Sequence, residues 1–132
     1  MDKPSNYAPA LGRLLMAALF LFSGIGKLMD PAGTIGYIAS VGAPFPSLAF
    51  ALAAAIEVGG GLLLVIGYRA RLVAAVMAAF TLATALLFHT RFGDTNQLIH
   101  FLKNVAIAGG LLQVVGFGAG AWSVDARGTR AR

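Results

Sequence analysis

The sequence predicts an all-α fold: a four-transmembrane-helix bundle with a short interfacial helix between the first and second spans. Three observations predict it. Most of the 132-residue chain lies in four apolar runs, each near the roughly 20 residues a helix needs to cross a bilayer. Hydrophobic residues make up 58% and charged residues 11% of the chain, whereas a soluble domain carries about 25% charged residues. The ten Lys and Arg lie mostly at the ends of the apolar runs, where they anchor and orient spans in a membrane. They are not interleaved with exposed aromatic residues, so the net charge of +5 gives no reason to expect a nucleic-acid partner.

The first span is expected from Ala8 to Met29. Leu14–Ile25 resembles a signal-peptide core, but Lys27 follows directly and no soluble domain comes after, so an uncleaved span is expected. The uncharged stretch between Arg13 and Lys27 covers only about 20 Å of a ~30 Å hydrocarbon core. Both charges must therefore snorkel to opposite interfaces or pair inside the bundle.

Asp30-Pro31 reads as a helix start, with Asp as cap and Pro in the first turn. Ile35, Ile38 and Val41 recur every third residue, Gly42 is a C-terminal stop, and Pro44 and Pro46 forbid continuation. This helix is too short to span and is expected at the membrane surface. The second span is expected over 47–67 and the third over 71–89. Asp94, Thr95 and Asn96 can each cap the fourth, over 97–116. Gly116, Gly118 and Gly120 then break regular structure. The basic tail 123–132 has little to bury and is expected to be mobile. The whole chain, 1–132, reads as a single membrane domain.

Orientation follows from the basic residues. With four spans both termini share a side, and that side holds Lys3, Arg13, Arg69, Arg71, Arg127, Arg130 and Arg132, against Lys27, Arg91 and Lys103 opposite. Both termini are expected to be cytoplasmic. Tyr7, Tyr37, Tyr68 and Trp122 fall near the predicted interfaces. Ser47, Ala51, Ala55 and Gly59, then Ala75, Ala79 and Ala83, then Ala106 and Gly110, form small-residue stripes that allow close packing or a homo-oligomer interface.

Few polar residues can carry chemistry. Glu57 stands alone near the middle of the second span. A carboxylate there faces a partner, water or a ligand, and small neighbours leave room beside it. His100, Lys103 and Asn104 fall within about one helical turn. Lys103 and Asn104 lie about 9–11 Å inside their span and Glu57 about 15 Å inside its own, so a Glu57–Lys103 contact is expected, with Asn104 bonding across helices. His89 ends the third span on the side of His100, and such a pair can ligate haem or a metal, although histidines at an interface more often hold a hydrogen bond. No metal site is assigned. Lys27 reaches the same side and could join this cluster, with snorkelling as its expected state. The chain has no Cys, which excludes thiolate nucleophiles and Cys-ligated clusters. Gly59-Gly60-Gly61 lacks the strand and the Gly-Lys-Ser/Thr of a phosphate loop, and no nucleophile elbow is present.

Gly12-Arg13, Ser23-Gly24-Ile25-Gly26-Lys27-Leu28, Asp30-Pro31, Gly42-Ala43-Pro44, Ile56-Glu57-Val58-Gly59-Gly60-Gly61-Leu62, Arg69/Arg71, His89, Lys103-Asn104 and Gly109-Gly110 together resemble the DoxX family of small bacterial membrane proteins. The resemblance runs over about residues 8 to 125. It implies a four-helix protein of the bacterial inner membrane. Its relatives include a quinone-linked thiosulfate oxidoreductase subunit and a membrane partner of soluble oxidative-stress enzymes. Matched positions nominate Arg13, Lys27, Glu57, His89, Lys103 and Asn104. The leading expectation is a redox-linked accessory subunit that binds a quinone or other apolar ligand between helices. A scaffold for soluble redox enzymes and a small proton-coupled transporter are the alternatives.

Overall fold

A computed structural model describes residues 7–130, and among these no strand occurs. The chain runs α1 (Ala8–Met29), α2 (Pro31–Ser40), α3 (Pro46–Ala54), a π-helical turn (Ala55–Gly59), α4 (Gly60–Ile66), α5 (Ala70–Phe88), α6 (Thr95–Phe117) and α7 (Val124–Arg130). Four stretches are long and apolar enough to cross a membrane: Ala8–Met29, Pro46–Ile66, Ala70–Phe88 and Thr95–Phe117. The second is α3, the π turn and α4 in line. Large apolar side chains such as Leu15, Phe22, Leu86 and Phe117 face outward, an arrangement stable only where lipid replaces water.

Local chemistry sets the ends. Asp30 caps α2, its Oδ1 accepting from the Gly33 N–H at 3.1 Å. Gly42 takes φ +81° just beyond α2, and Asp94 caps α6 through the Asn96 N–H at 2.9 Å. The core lies among Ala17 and Phe20 of α1, Leu64 of α4, Ala74, Met77 and Ala78 of α5, and Leu111 and Val114 of α6.

Two of the small-residue stripes lie mainly outside the packing within the bundle. The inward face of α5 is Ala70, Ala74, Met77, Ala78, Thr81 and Ala85, so the Ala75/Ala79/Ala83 stripe faces outward. Ser47, Ala51 and Ala55 are likewise exposed, and Ala53, Ala54 and Gly61 are buried in their place. After Ser123 the chain turns into a last short helix. Val124–Arg130 is helical, and the Asp125 carboxylate accepts the Arg69 and Ala70 N–H groups at 2.8 and 2.9 Å. That places a negative charge on the free N–H groups at the start of α5, where it is stabilising. Residues 131 and 132 of the tail, and Lys3 near the other end, lie outside the described residues.

Candidate functional site

Glu57 sits in the π turn and is 6% exposed. A π turn adds a residue to a helical turn and re-aims the side chains around it; such turns recur at functional sites. On the facing helix, Gly24 makes the close approach possible. A Cβ there would lie 2.7 Å from Val58 Cγ2 and 2.9 Å from Glu57 Cβ. With α1 this near, Ser23 and Lys27, one turn apart, both reach the carboxylate. Lys27 Nζ lies 3.1 Å from Glu57 Oε1 and 2.9 Å from Oε2. It also donates to Ser23 Oγ at 2.8 Å, and Ser23 Oγ donates to Oε1 at 3.1 Å. Although Oε2 is in ion-pair contact, it accepts no hydrogen bond of good geometry.

The expected Glu57–Lys103 contact is therefore wrong, and so is free snorkelling of Lys27. Lys103 is exposed on α6, whereas α1 supplies the cation. Asn104, the next residue, points inward and reaches Thr81 O at 3.4 Å and Thr84 Oγ1 at 3.3 Å across to α5.

This cluster borders a cavity of about 790 Å³, within the usual range for small-molecule sites, ~300–1,000 Å³. Leu19, Phe20, Ile56, Phe80 and Ile107 give it apolar walls, and Ser23, Lys27, Glu57, Thr81 and Asn104 give it polar points. Helix α2 closes one side with Thr34, Tyr37 and Ile38, and Tyr37 stacks on Phe88 of α5 at 5.5 Å. Sequence reasoning missed α2 as part of the site. The burial of Ile38 in its apolar stripe is the signal that could have found it.

His89 borders the cavity at the end of α5. Its ring stacks on His100 at 5.1 Å, and its Nδ1 lies 3.3 Å from Gln97 Oε1. His100 does not line the cavity. Among the described residues no group of three or more His, Cys, Asp or Glu gathers as a metal site.

Arg13 is in a different place altogether, 1% exposed near the opposite end of α1. Its guanidinium donates to Leu64 O at 2.6 Å, Val65 O at 3.1 Å, Ala119 O at 2.9 Å and Trp122 O at 2.5 Å. These carbonyls belong to the end of α4 and the loop after α6. The planar fork of five donors ties three parts of the chain together, and this residue takes no part in the cavity.

A model of the family described as DoxX matches residues 8–90. Inner membrane protein YqjF of Escherichia coli strain K12 is 38% identical over 125 residues, which cover 95% of each chain. Inner membrane protein YphA of the same organism is 37% identical over 122 residues, covering 89% of this chain and 87% of that protein. No solved structure matches the chain significantly.

Proposed function

The chain belongs to the DoxX family of integral membrane proteins, and from that premise we propose that it binds a quinone or another apolar molecule with a polar head in the cavity beside Lys27 and Glu57. The observation that supports this most is the pairing of an apolar slot of about 790 Å³ with an ion pair at its wall whose carboxylate is buried. A buried pair alone stabilises little, because desolvation offsets the attraction. An ion pair that only fixed helix register would need no cavity next to it. An apolar slot with a few placed polar groups is what a small-molecule site requires.

In this reading Lys27, Glu57, Ser23 and Asn104 meet the polar end of the ligand, while Leu19, Phe20 and Ile107 hold its body. His89 and Tyr37 stand at the rim. Lys103 and His100 are set aside as contacts, and Arg13 acts on the fold. The protein acts as a redox-linked accessory subunit of a bacterial inner membrane, the membrane of its two relatives, and passes its ligand to a soluble redox partner.

Mass spectrometry of small molecules that co-purify from the native membrane tests the site. A defined apolar compound should accompany the wild type and be lost from Glu57→Gln. The same unspecific lipid in both samples would make the ion pair a structural device and remove the proposal's support.

A further inference from the structure

The second span meets α5 along only part of its length. At α4 the two helices come close, and Gly60 allows it: a Cβ there would lie 2.8 Å from Met77 Sδ. The π turn also packs on α5, but α3, on the far side of that turn, does not pack closely on it. The cavity lies in the resulting seam, with Ala49, Leu52 and Ala53 on α3 and Phe80, Ala83 and Leu87 on α5. Both lips of the seam are apolar and face outward. Leu52 is 54% and Leu87 55% exposed, and Ala83 is exposed beside them. All three belong to stretches long and apolar enough to cross a membrane, so the lips meet hydrocarbon rather than water. The other sides differ. On α6 the lining residues Asn104 and Ile107 are both half-buried. On α2, Ile38 is buried, the Asp30 carboxylate is turned to the Gly33 N–H of its own helix, and the Tyr37 ring lies on Phe88.

We infer that the cavity opens sideways into the bilayer between α3 and α5 and takes its occupant from the hydrocarbon. Its ligands are then small apolar molecules dissolved in the membrane, and water-soluble compounds are excluded. The inference rests on the reading of this cavity as a ligand site. A slit between Leu and Ala side chains gives water nothing to bond to. A molecule already in lipid passes the same lips without leaving an apolar medium, since lipid tails are as apolar as leucine. What holds it inside is polar contact that the hydrocarbon lacks. Glu57 Oε2 is enclosed and accepts no hydrogen bond. The Lys27 ammonium gives two of its protons to Ser23 Oγ and Glu57 Oε1 and keeps an N–H free at the cavity. Buried groups of this kind are normally satisfied, by a ligand or water if not by protein. A polar head that reaches them makes bonds for which the bilayer core offers no substitute.

Photolabelling tests the route. The full chain in lipid nanodiscs is irradiated with iodophenyl trifluoromethyl diazirine, an apolar reagent that dissolves in the bilayer, and labelled residues are read by mass spectrometry. Phe20 is buried and lines the cavity, Phe22 faces outward, and Leu64 and Leu111 are fully buried and do not line it. Phe20 should be labelled together with Phe22, while Leu64 and Leu111 stay unlabelled, because a close-packed interior has no room for the reagent. A sulfonated, water-dissolved diazirine should leave Phe20 unlabelled. Ala83→Trp adds bulk at an exposed position on one lip and should abolish the labelling of Phe20 with Phe22 unchanged. Labelling of Phe22 without Phe20 overturns the inference. Label at Phe20 from the sulfonated reagent, or label undiminished in Ala83→Trp, overturns it too. Excess 4-octylphenol, an apolar body with a small polar head, should protect Phe20. Labelling that 4-octylphenol does not reduce leaves the seam in place and removes the reading of the cavity as a ligand site.

Discussion

Two cations of α1, Arg13 buried and Lys27 partly buried, meet opposite solutions. Lys27 is held by a carboxylate and a hydroxyl, and Arg13 by four backbone carbonyls. Removing one member of a buried ion pair costs about 3–5 kcal/mol, because the other charge is left buried alone, whereas neutralising both costs far less. Lys27→Met should therefore lower the melting temperature in detergent markedly, and adding Glu57→Gln should recover most of the loss; if the double variant melts below Lys27→Met, the two side chains do not act as a pair. Arg13→Lys keeps the charge but offers three donors from one point instead of a planar fork. It should cost about 2 kcal/mol, read as a lower melting temperature with ligand binding unchanged. A melting temperature equal to wild type would contradict the bonding to the carbonyls. The sequence identified both residues as charges needing an answer, since too few apolar residues separate them. It did not reveal the answers, because carbonyls carry no side-chain signal and because depth along a span does not fix rotation about it. Lys103 and Asn104 illustrate this: neighbours in sequence sit about 100° apart on a helix, so one is exposed while the other meets α5.

At the scale of elements, the boundaries of the spans were legible because lipid imposes a length and because Asp30, Gly42 and Asp94 stop and start helices by local chemistry. Which face each helix turns inward was not. On α5, alanines spaced by four occur on two faces, Ala70/Ala74/Ala78 inside and Ala75/Ala79/Ala83 outside, and composition cannot rank them. In the second span the π turn inserts a residue between α3 and α4, so a stripe extrapolated through it slips off its face. The approach of α1 to that turn depends on Gly24, where a Cβ would fall 2.7 Å from Val58. Gly24→Val forces the helices apart at a cost of about 1–3 kcal/mol and draws Lys27 away from Glu57. It should weaken ligand binding beyond its effect on stability; full binding by a destabilised Gly24→Val protein would show that the site does not need this contact.

For the whole molecule, we propose from the asymmetry of basic residues that both termini lie in the cytoplasm. The chain has no Cys, so single introduced thiols report topology without a background. In intact bacterial cells Gly93→Cys should react with a membrane-impermeant maleimide, and Arg127→Cys only after permeabilisation; the reverse pattern would invert the bundle. The same orientation would put Tyr37 and His89, which line the cavity, toward the periplasmic side, and the α7 end, with Arg69 and Arg71, on the cytoplasmic side. The central claim is that the space between the helices, rather than the lipid-facing surface, holds the ligand. Ala53 is 8% exposed, lines the cavity and is no member of the ion pair. Titration of 4-octylphenol into Ala53→Phe tests the claim most directly. The account predicts that binding is abolished while the melting temperature holds or rises, since the ring fills empty space. Binding as tight as in the wild type, in a protein that folds as well, would contradict it.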